Sequence, residues 1–306
     1  MNNKKITWKE IEKSLDWLEI CNKGEEICVK YYIISRVGLE LSGDVVSKKI
    51  EVAILFGKME YEYLLKFDEK TINKKITSIF KAKPPLVILS KSFNFDIISN
   101  LASKYKITIF KSSLSSSQIS ILYATDLLMK LAEESSMHGN LIEVSGMGML
   151  LIGESGLGKS EVSLELIKKG HQFISDDIVI YKRILNNILG RAHKGSKGFI
   201  EIRGLGIVNL IKIFGIRSII DVCVIDVIVE LEIYDNMKNF DRLGNTNEYK
   251  ELLGIKIPYY KIPVSSGRKM SDIIELLASI QKLKKTGHSG LEDFTNSLMK
   301  NEENNE

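Results

Sequence analysis

Short apolar runs alternate with amphipathic segments along the first third of the chain. The runs at 52–57 (VAILFG), 84–90 (PPLVILS) and 106–113 (KITIFKSS) have the length and composition of buried strands. Between them, the segment 95–106 (FDIISNLASKYK) carries its apolar residues at helical spacing. Strands that alternate with helices predict an α/β domain built on a parallel sheet.

A Ser-rich stretch at 112–118 ends this pattern and predicts a turn that leads into a helix cap. The residues that follow, 119–135 (ISILYATDLLMKLAEES), have helical spacing. We interpret this helix as the connector between two domains. The prediction is an N-terminal α/β domain over 1–133, with a structural or assembly role, and a second domain over 134–306.

The second domain opens with apolar runs split by glycines at 138–153, and this pattern predicts a β-hairpin. The segment 159–170 predicts a helix that ends at Gly170, because glycine is favoured just past a helix C-terminus. Two longer apolar runs, 171–183 and 222–234, each predict a strand.

The last helix is predicted from about Ser271 to Lys285, with Ser271 as its cap. The tail from about residue 300 (KNEENNE) has no apolar content and is predicted to be disordered.

Composition and charge narrow the class of protein. Hydrophobic residues make up 44% and charged residues 27% of the 306 positions, which suits globular domains with real cores. The net charge of +4 comes without a Lys/Arg patch interleaved with aromatics, so nucleic acid is not the predicted partner.

Targeting and membrane signals are also missing from the sequence. The most apolar stretch is interrupted by Asp221 and Asp226, so it predicts a buried strand and no membrane span. The N-terminal residues lack the apolar core of a secretory signal. The three cysteines match no zinc spacing and fit a reducing compartment, so we expect a cytoplasmic protein.

The residues GESGLGKSE at 153–161 fit the phosphate-loop pattern G-x-x-x-x-G-K-[ST]. Backbone N–H groups of such a turn point inward and form an anion nest, and the helix that follows adds the positive end of its dipole. Lys159 would reach the β- and γ-phosphates of a nucleotide, and the Ser160 hydroxyl would bind Mg²⁺. The predicted nucleotide-binding residues are Gly153, Glu154, Ser155, Gly156, Leu157, Gly158, Lys159 and Ser160.

Two adjacent carboxylates, Asp176 and Asp177, lie in the middle of the predicted strand at 171–183. On a strand they point to opposite faces, so one would meet the nucleotide while the other is held elsewhere. A carboxylate beside the γ-phosphate can serve as the base for an incoming hydroxyl. The alternative is a strand-end turn in which both acids are solvated.

Other charged residues are ambiguous when each is taken alone. His138, at the start of the second domain, is structural or catalytic. Glu201 and Arg203 could be a charged pair at a strand end, and Arg242 and Arg268 could be solvated loop charges.

Taken together, these pieces resemble the bacterial HPr kinase/phosphorylase family. The catalytic part carries, in order, MHG, GESGLGKSE, LELIKKGH, SDD, EIRGLGIVNL, FDRLG and GRK, and the amino-terminal part adds GLELSG, PPLVILS and LSSSQ. Each motif is weak alone, but the ordered set is specific and covers nearly the whole chain.

The resemblance implies a bifunctional enzyme. The family uses ATP or pyrophosphate to phosphorylate a regulatory serine of HPr, the phosphocarrier of the sugar phosphotransferase system, and so controls carbon metabolism and sugar uptake. It reverses this step by phosphorolysis, with inorganic phosphate as the attacking group and pyrophosphate as the product. Its catalytic domain resembles nucleotide-binding phosphoenolpyruvate carboxykinases, and its members form homohexamers.

The resemblance also implies a role for each matching residue. Ser160 and Glu201 hold Mg²⁺. Asp177 accepts the serine proton in the forward direction, and in the reverse direction it donates a proton or activates the attacking group. His138 and Arg242 complete the catalytic set.

Supporting roles fall to Asp176, Arg203 and Arg268. The segment 201–210 serves both reactions, and 263–268 chiefly the reverse one.

The chain departs from the family at two segments. Between Gly190 and Glu201 the family usually has an Ala-Pro and a Leu-rich run, whereas this chain is basic and Gly-rich there. Family members carry Arg-Pro after Pro-Val, whereas this chain has Ser265 and Ser266 there. Two other functions remain open: a regulatory nucleotide-binding module and a small-molecule kinase. The SDD, EIRGLG and FDRLG motifs favour the protein kinase, and the N-K-x-D motif of a GTP switch is missing from the sequence.

Overall fold

The chain divides into two compact units, which we describe from a computed structural model. The units are Met1–Ala132 and Glu133–Glu306. The structure describes residues 6–7, 10–11, 15–21, 29–43, 49–94, 96–233, 248–265 and 267–288. Arg242 and the tail predicted to be disordered lie outside the described residues.

The N-terminal unit is built on a five-stranded sheet in the order β1-β5-β4-β3-β2. Strands β2 to β5 run parallel and β1 is antiparallel to β5, so the predicted parallel sheet is confirmed. The strands are β1 (Trp17–Cys21), β2 (Ile34–Arg36), β3 (Ala53–Phe56), β4 (Val87–Leu89) and β5 (Ile109–Ser112).

Helices in this unit pack against a sheet that is buried on both faces. Along β3, Ile54 and Phe56 belong to one apolar cluster, and Ala53 and Leu55 to another. This alternation follows from the two-residue period of a strand, and it explains why the run reads as continuously apolar. Among the described residues, the helices that have defined bounds are α1 (Gly38–Ser42), α2 (Lys58–Leu64), α3 (Glu69–Lys81), α4 (Asp96–Tyr105) and α5 (Ser116–Leu131).

The predicted cap before α5 is confirmed. The Ser115 hydroxyl accepts a hydrogen bond from the Gln118 backbone N–H at 3.4 Å, and the Gln118 side chain accepts from the Ser115 N–H at 3.0 Å. This reciprocal pair is a capping box, which satisfies two backbone donors at the helix start.

The C-terminal unit contains a six-stranded sheet, a four-stranded antiparallel sheet and a two-stranded hairpin. The strand orders are β16-β17-β15-β8-β7-β9, β14-β11-β10-β6 and β12-β13. Strands β8, β15 and β17 run parallel to one another.

The bounds of the twelve strands named in these orders are as follows: β6 (Glu134–His138), β7 (Asn140–Val144), β8 (Met147–Gly153), β9 (Gln172–Ser175), β10 (Ile178–Ile184), β11 (Asn187–Ala192), β12 (Phe199–Ile202), β13 (Gly206–Asn209), β14 (Val222–Val224), β15 (Val227–Ile233), β16 (Tyr249–Leu252) and β17 (Ile255–Val264). The helices are α6 (Lys159–Lys168), α7 (Leu210–Phe214), a 3-10 turn (Ile216–Ser218) and α8 (Met270–Lys285).

Successive residues of β8 face two different cores. Leu151 packs in a cluster with Leu166 of α6 and Ile274 of α8, whereas Leu150 packs in a cluster with Val179 of β10. The six-stranded sheet is therefore covered by helices on one face and by the four-stranded sheet on the other. Because β8 lies inside this sandwich, the loop that leaves its carboxyl end starts from a fixed point.

Two local predictions are wrong. The run 222–234 is not one strand but two, β14 and β15, and these belong to different sheets. The break comes at Asp226, whose carboxylate accepts the Gly148 N–H at 2.8 Å. Ser271 is not the cap of α8, because it lies inside the first turn and its hydroxyl donates to Glu165 at 2.8 Å.

Helix ends elsewhere agree with the sequence. Helix α6 is followed by Gly170 with φ 96°, as predicted.

Among the helices that the structure describes, none has the length and apolar character needed to cross a bilayer.

Candidate active site

The predicted hairpin is confirmed and delivers the chain to the glycine-rich loop. Strands β7 and β8 pair antiparallel, from Asn140 opposite Leu151 to Val144 opposite Met147. The connecting residues, Ser145 and Gly146, both have positive φ (53° and 83°), which matches a two-residue type I′ turn.

The loop between β8 and α6 requires glycine where the backbone turns most sharply. Gly153 and Gly158 have φ of 134° and 84°. A Cβ on Gly153 would lie 2.4 Å from the Leu231 carbonyl oxygen, so a larger residue has no room there. Leu157 packs against the apolar core and anchors the middle of the loop. This is the strand–loop–helix order that a phosphate nest needs.

Lys159 bridges the two ends of this loop. Its ammonium donates hydrogen bonds to the Gly153 and Glu154 carbonyl oxygens, both at 2.8 Å. From the turn between β12 and β13, Arg203 donates to the Ser155 hydroxyl at 3.3 Å. Two cationic side chains therefore lie against a loop whose own backbone presents N–H groups.

A cavity of about 350 Å³ opens above the loop. Most of the predicted site residues line it, from four separate stretches of chain. The lining residues are His138, Gly139, Asn140, Gly153, Ser155, Gly156, Gly158, Lys159, Ser160, Glu161, Asp176, Asp177, Glu201 and Arg203.

Three predicted residues that the structure describes do not line this cavity. Glu154 contributes its carbonyl to Lys159, and Leu157 faces the core. Arg268 lies just before α8, where its N–H donates to the Ser265 carbonyl at 3.3 Å. Arg242 lies outside the described residues.

The prediction that one strand runs through Asp176 and Asp177 is wrong. The alternative, a strand-end turn with both acids solvated, is right about the turn but wrong about Asp176. Strand β9 ends at Ser175, and Asp177 has φ 64°, which no strand residue adopts. The turn is fixed by the Gly139 N–H, which donates to the Asp177 carbonyl oxygen at 2.9 Å. Asp176 is only 9% exposed, whereas the Asp177 side chain is 76% exposed. The two acids therefore have different surroundings.

Asp176 is the buried centre of a hydrogen-bond network. Its Oδ1 accepts the Ser160 hydroxyl at 3.0 Å, and its Oδ2 accepts the Glu201 N–H at 2.8 Å. Burial raises the pKa of Asp176 above its ordinary value, and the hydrogen bonds from Glu201, Ser160 and Asn140 oppose that rise. The network connects α6 to the β12–β13 hairpin beneath the cavity.

Asp177 faces the cavity beside His138. The His138 Nδ1 lies 3.3 Å from the Asp177 Oδ1, and both side chains are largely exposed. Pairing of β6 with β10 holds His138 opposite Ile178, directly after the turn that carries Asp177. An exposed carboxylate beside an imidazole, in a cavity lined by Lys159, can accept a proton from a bound hydroxyl.

Oxygen ligands of the kind that Mg²⁺ prefers line the same cavity. They include the Ser160 hydroxyl and the Glu201 carboxylate. Among residues with described positions, no group of three or more His, Cys, Asp or Glu could hold a metal ion by itself. That result is compatible with Mg²⁺, because the ion usually takes one or two protein carboxylates and completes its shell with phosphates and water.

Three lining residues are not among the predicted site residues: Gly139, Asn140 and Glu161. Asn140 is 1% exposed on β7, and its amide reaches Ser160 and Ser163 on α6. The only signal in the sequence was a polar residue inside the apolar run that precedes the loop. Its partners Ser160 and Ser163 lie 20 and 23 residues further along the chain.

Comparisons with known proteins cover the whole of this architecture. The family model "HPr Serine kinase C-terminal domain" matches residues 129–298, and "HPr Serine kinase N terminus" matches residues 6–125. The HPr kinase/phosphorylase of Malacoplasma penetrans is 42% identical over 300 residues, which cover 97% of this chain and 100% of the relative. That of Mycoplasmopsis pulmonis is 36% identical, with 94% of this chain and 96% of the relative covered.

A solved structure is also similar. The Hpr(Ser) kinase/phosphatase from Coxiella burnetii is 31% identical and aligns with a TM-score of 0.48. The alignment covers 52% of this chain and 98% of that one.

Proposed function

The chain belongs to the HPr kinase/phosphorylase family, and from that membership we propose that it transfers a phosphoryl group from ATP to a serine of HPr and removes it again by phosphorolysis. The observation that carries the proposal is the sharing of one cavity by the phosphate loop and the exposed Asp177 carboxylate. A kinase needs both: a cradle for the donor phosphates, and a base for the acceptor hydroxyl.

In the forward direction, Asp177 is the general base. Serine is a weak nucleophile at neutral pH, so a carboxylate must take its proton as the new P–O bond forms. Asp177 suits this role because its side chain is exposed in the cavity and belongs to a turn that backbone hydrogen bonds hold in place. His138 orients the carboxylate from 3.3 Å away.

Lys159 binds the donor phosphates. Its present partners are two loop carbonyls, which a phosphate oxygen can replace with a charge-assisted bond. Ser160 and Glu201 would hold Mg²⁺, which supplies positive charge for the phosphates of ATP.

In the reverse direction, inorganic phosphate attacks the phosphoserine. The bond between the serine oxygen and phosphorus breaks, a bond from phosphorus to the attacking phosphate oxygen forms, and the serine oxygen regains a proton from Asp177. Pyrophosphate leaves from the same loop. Arg203, already at the loop, adds a cation for this second anion, and Arg242 and Arg268 are proposed to assist on the basis of the family resemblance.

The same resemblance extends the proposal beyond the site. We expect a phosphoenolpyruvate carboxykinase-like catalytic domain, a cytoplasmic homohexamer, and an N-terminal unit that serves assembly or structure.

The test is to incubate the chain with Mg²⁺, ATP labelled on its γ-phosphate, and HPr, alongside HPr whose regulatory serine is alanine. Label on the first protein but not on the second is the expected result. Nucleotide binding without transfer would support a regulatory module instead, and label on a metabolite from a cell extract would support a small-molecule kinase. Unlabelled phosphate should then release the label from HPr as pyrophosphate.

A further inference from the structure

Asn140 connects the sheet to the first turns of the phosphate-loop helix. It lies on β7, is 1% exposed, and lines the cavity from below. Its Nδ2 donates to the Ser163 hydroxyl at 3.2 Å and lies 3.5 Å from the Ser160 hydroxyl. Residue 140 therefore meets the residue proposed to hold Mg²⁺.

The hydrogen-bond pattern requires a donor at this position. Ser160 gives its single hydroxyl proton to Asp176 at 3.0 Å, and Ser163 gives its own to the Lys159 carbonyl at 2.9 Å. Each hydroxyl can therefore only accept from residue 140. An amide N–H group satisfies both oxygens, whereas a carboxylate of the same shape would face them with lone pairs.

We propose that Asn140 is a positioning residue for magnesium-dependent nucleotide binding, because its amide fixes the Ser160 hydroxyl and, through Ser163, the first turn of α6. The inference rests on the proposed function in one respect, since Ser160 is taken there as a magnesium ligand. Groups that orient a metal ligand from outside typically change metal affinity or activity by about 10–100-fold when they are lost.

Two substitutions separate donation from shape. Asn140→Leu keeps the approximate volume and removes the donor, and Asn140→Asp keeps the shape and replaces the donor with an acceptor. Binding of a fluorescent ATP analogue is measured across a Mg²⁺ titration and again in EDTA. The Mg²⁺ concentration for half-maximal binding should rise about 10–100-fold in Asn140→Leu and by no less in Asn140→Asp. Affinity in EDTA should stay close to that of the unmodified chain.

Gln281→Leu is the matched control. Gln281 is another buried amide in the same unit and is 6% exposed. It bonds Tyr260, which does not line the cavity above the glycine-rich loop. This variant should lower thermal stability without moving the Mg²⁺ titration. Asn140 variants that lose affinity equally with and without Mg²⁺, or that bind like the unmodified chain, would overturn the proposal.

Should the Asn140 variants fail to fold, Ser163→Ala removes one acceptor without adding bulk. It should raise the Mg²⁺ requirement in the same direction by a smaller factor, and an unchanged titration would overturn the proposal. The binding assay needs no HPr, so its outcome can be read even if transfer to HPr is not observed. Failure of the proposed function and failure of this inference are therefore distinguishable.

Discussion

Each unit places charged side chains at the carboxyl end of a buried parallel strand. The two strand ends differ in whether those charges are paired inside the protein or face a cavity. In the N-terminal unit, β3 ends at Phe56, and Glu60 on α2 is 5% exposed. Its carboxylate accepts two hydrogen bonds from Arg36, at 3.0 and 2.7 Å, and one from the Gly57 N–H at 2.9 Å. A Cβ on Gly57 would lie 2.1 Å from the Ser116 hydroxyl, so the space is filled.

In the C-terminal unit, β8 ends at Gly153 and the charges face open space. Lys159 donates hydrogen bonds to two backbone carbonyls, and Asp177 is 76% exposed in a cavity of about 350 Å³. One end thus satisfies its charges internally, and the other leaves them available to a ligand.

The pKa directions follow the same division. Burial tends to raise the pKa of Glu60, but the hydrogen bonds from Arg36 and the backbone outweigh it, so the pKa is lowered. Burial raises the pKa of Asp176, and its hydrogen-bond donors do not reverse the rise. Glu60 therefore contributes to stability as an ion, whereas ionisation of Asp176 lowers stability, as is common at functional sites.

The largest effect is expected from Lys159→Ala, which should abolish phosphorylation of HPr and its reversal. Both directions place a phosphate or pyrophosphate in the same loop, and the variant removes the cation that bridges it. Transfer of label from ATP to HPr, and release of pyrophosphate, measure the two directions. Lys75→Ala is the control, because Lys75 also bonds a backbone carbonyl but belongs to the N-terminal unit. Near-normal phosphorylation by Lys159→Ala would show that the open end is not the active site.

Asp177→Asn should lower the rate of phosphorylation by about 10²–10⁴ while ATP-analogue binding survives. The amide keeps the shape of the side chain but cannot accept the serine proton. Single-turnover transfer and analogue binding are measured in parallel.

Asp176→Asn is the paired variant. It should weaken Mg²⁺-dependent nucleotide binding, because Asp176 accepts from Ser160 and from the Glu201 backbone. The roles are reversed if Asp176→Asn binds normally but is slow, and Asp177→Asn stays active.

Glu60→Gln tests the closed end and should cost roughly 1–3 kcal/mol of stability, because Arg36 loses a charged partner. The rate of transfer per folded molecule should not change. Both tryptophans of the chain, Trp8 and Trp17, belong to the N-terminal unit, and Trp17 stacks on Phe110, so tryptophan fluorescence in denaturant reports this unit.

Glu62→Gln is the control for Glu60→Gln. Its pair with Lys58 is exposed, so stability should change by less than about 0.5 kcal/mol. Because the pKa of Glu60 is lowered in the folded state, its contribution is present above the unfolded value of about 4.3 and is lost as the pH falls through the folded value. The stability gap between Glu60→Gln and the unmodified chain should therefore close in acid. A gap that persists there would mean that Glu60 acts through packing and not through charge.

Features with local causes could be predicted from the sequence. The hairpin, the strand–loop–helix order around the glycine-rich segment and the cap at Ser115 depend on neighbouring residues and are confirmed, whereas phosphate binding by the loop stays a prediction. The failures depend on distant partners. Asp226 breaks a strand by bonding Gly148, and Ser271 bonds Glu165 instead of capping its own helix.

The candidate site divides in the same way. The residue types at the loop indicate phosphate binding, but the sequence does not reveal which of two adjacent acids is buried. That difference comes from the turn at Asp177 and from donors on α6 and the β12–β13 hairpin. Asn140 was missed because its contacts with Ser160 and Ser163 form only in the folded chain.

The smallest effect concerns residues 265 and 266, where the family resemblance implies Arg-Pro and this chain has two serines. Replacing Ser265 by Arg and Ser266 by Pro should raise the ratio of dephosphorylation to phosphorylation. Phosphorolysis must hold phosphoserine and phosphate together, and their like charges repel, so an added cation favours this direction over the forward one. An exposed charge contributes about 0.2–1 kcal/mol, so we expect a change of only about 1.5–5-fold. The ratio is measured at fixed Mg²⁺ and HPr concentrations, with Ser265→Gln and Ser266→Pro together as the uncharged control. A ratio that rises equally in the control would assign the effect to the rigid proline and not to charge. An unchanged ratio in both variants would mean that Lys159 and Arg203 at the loop already supply the positive charge that the reverse reaction needs.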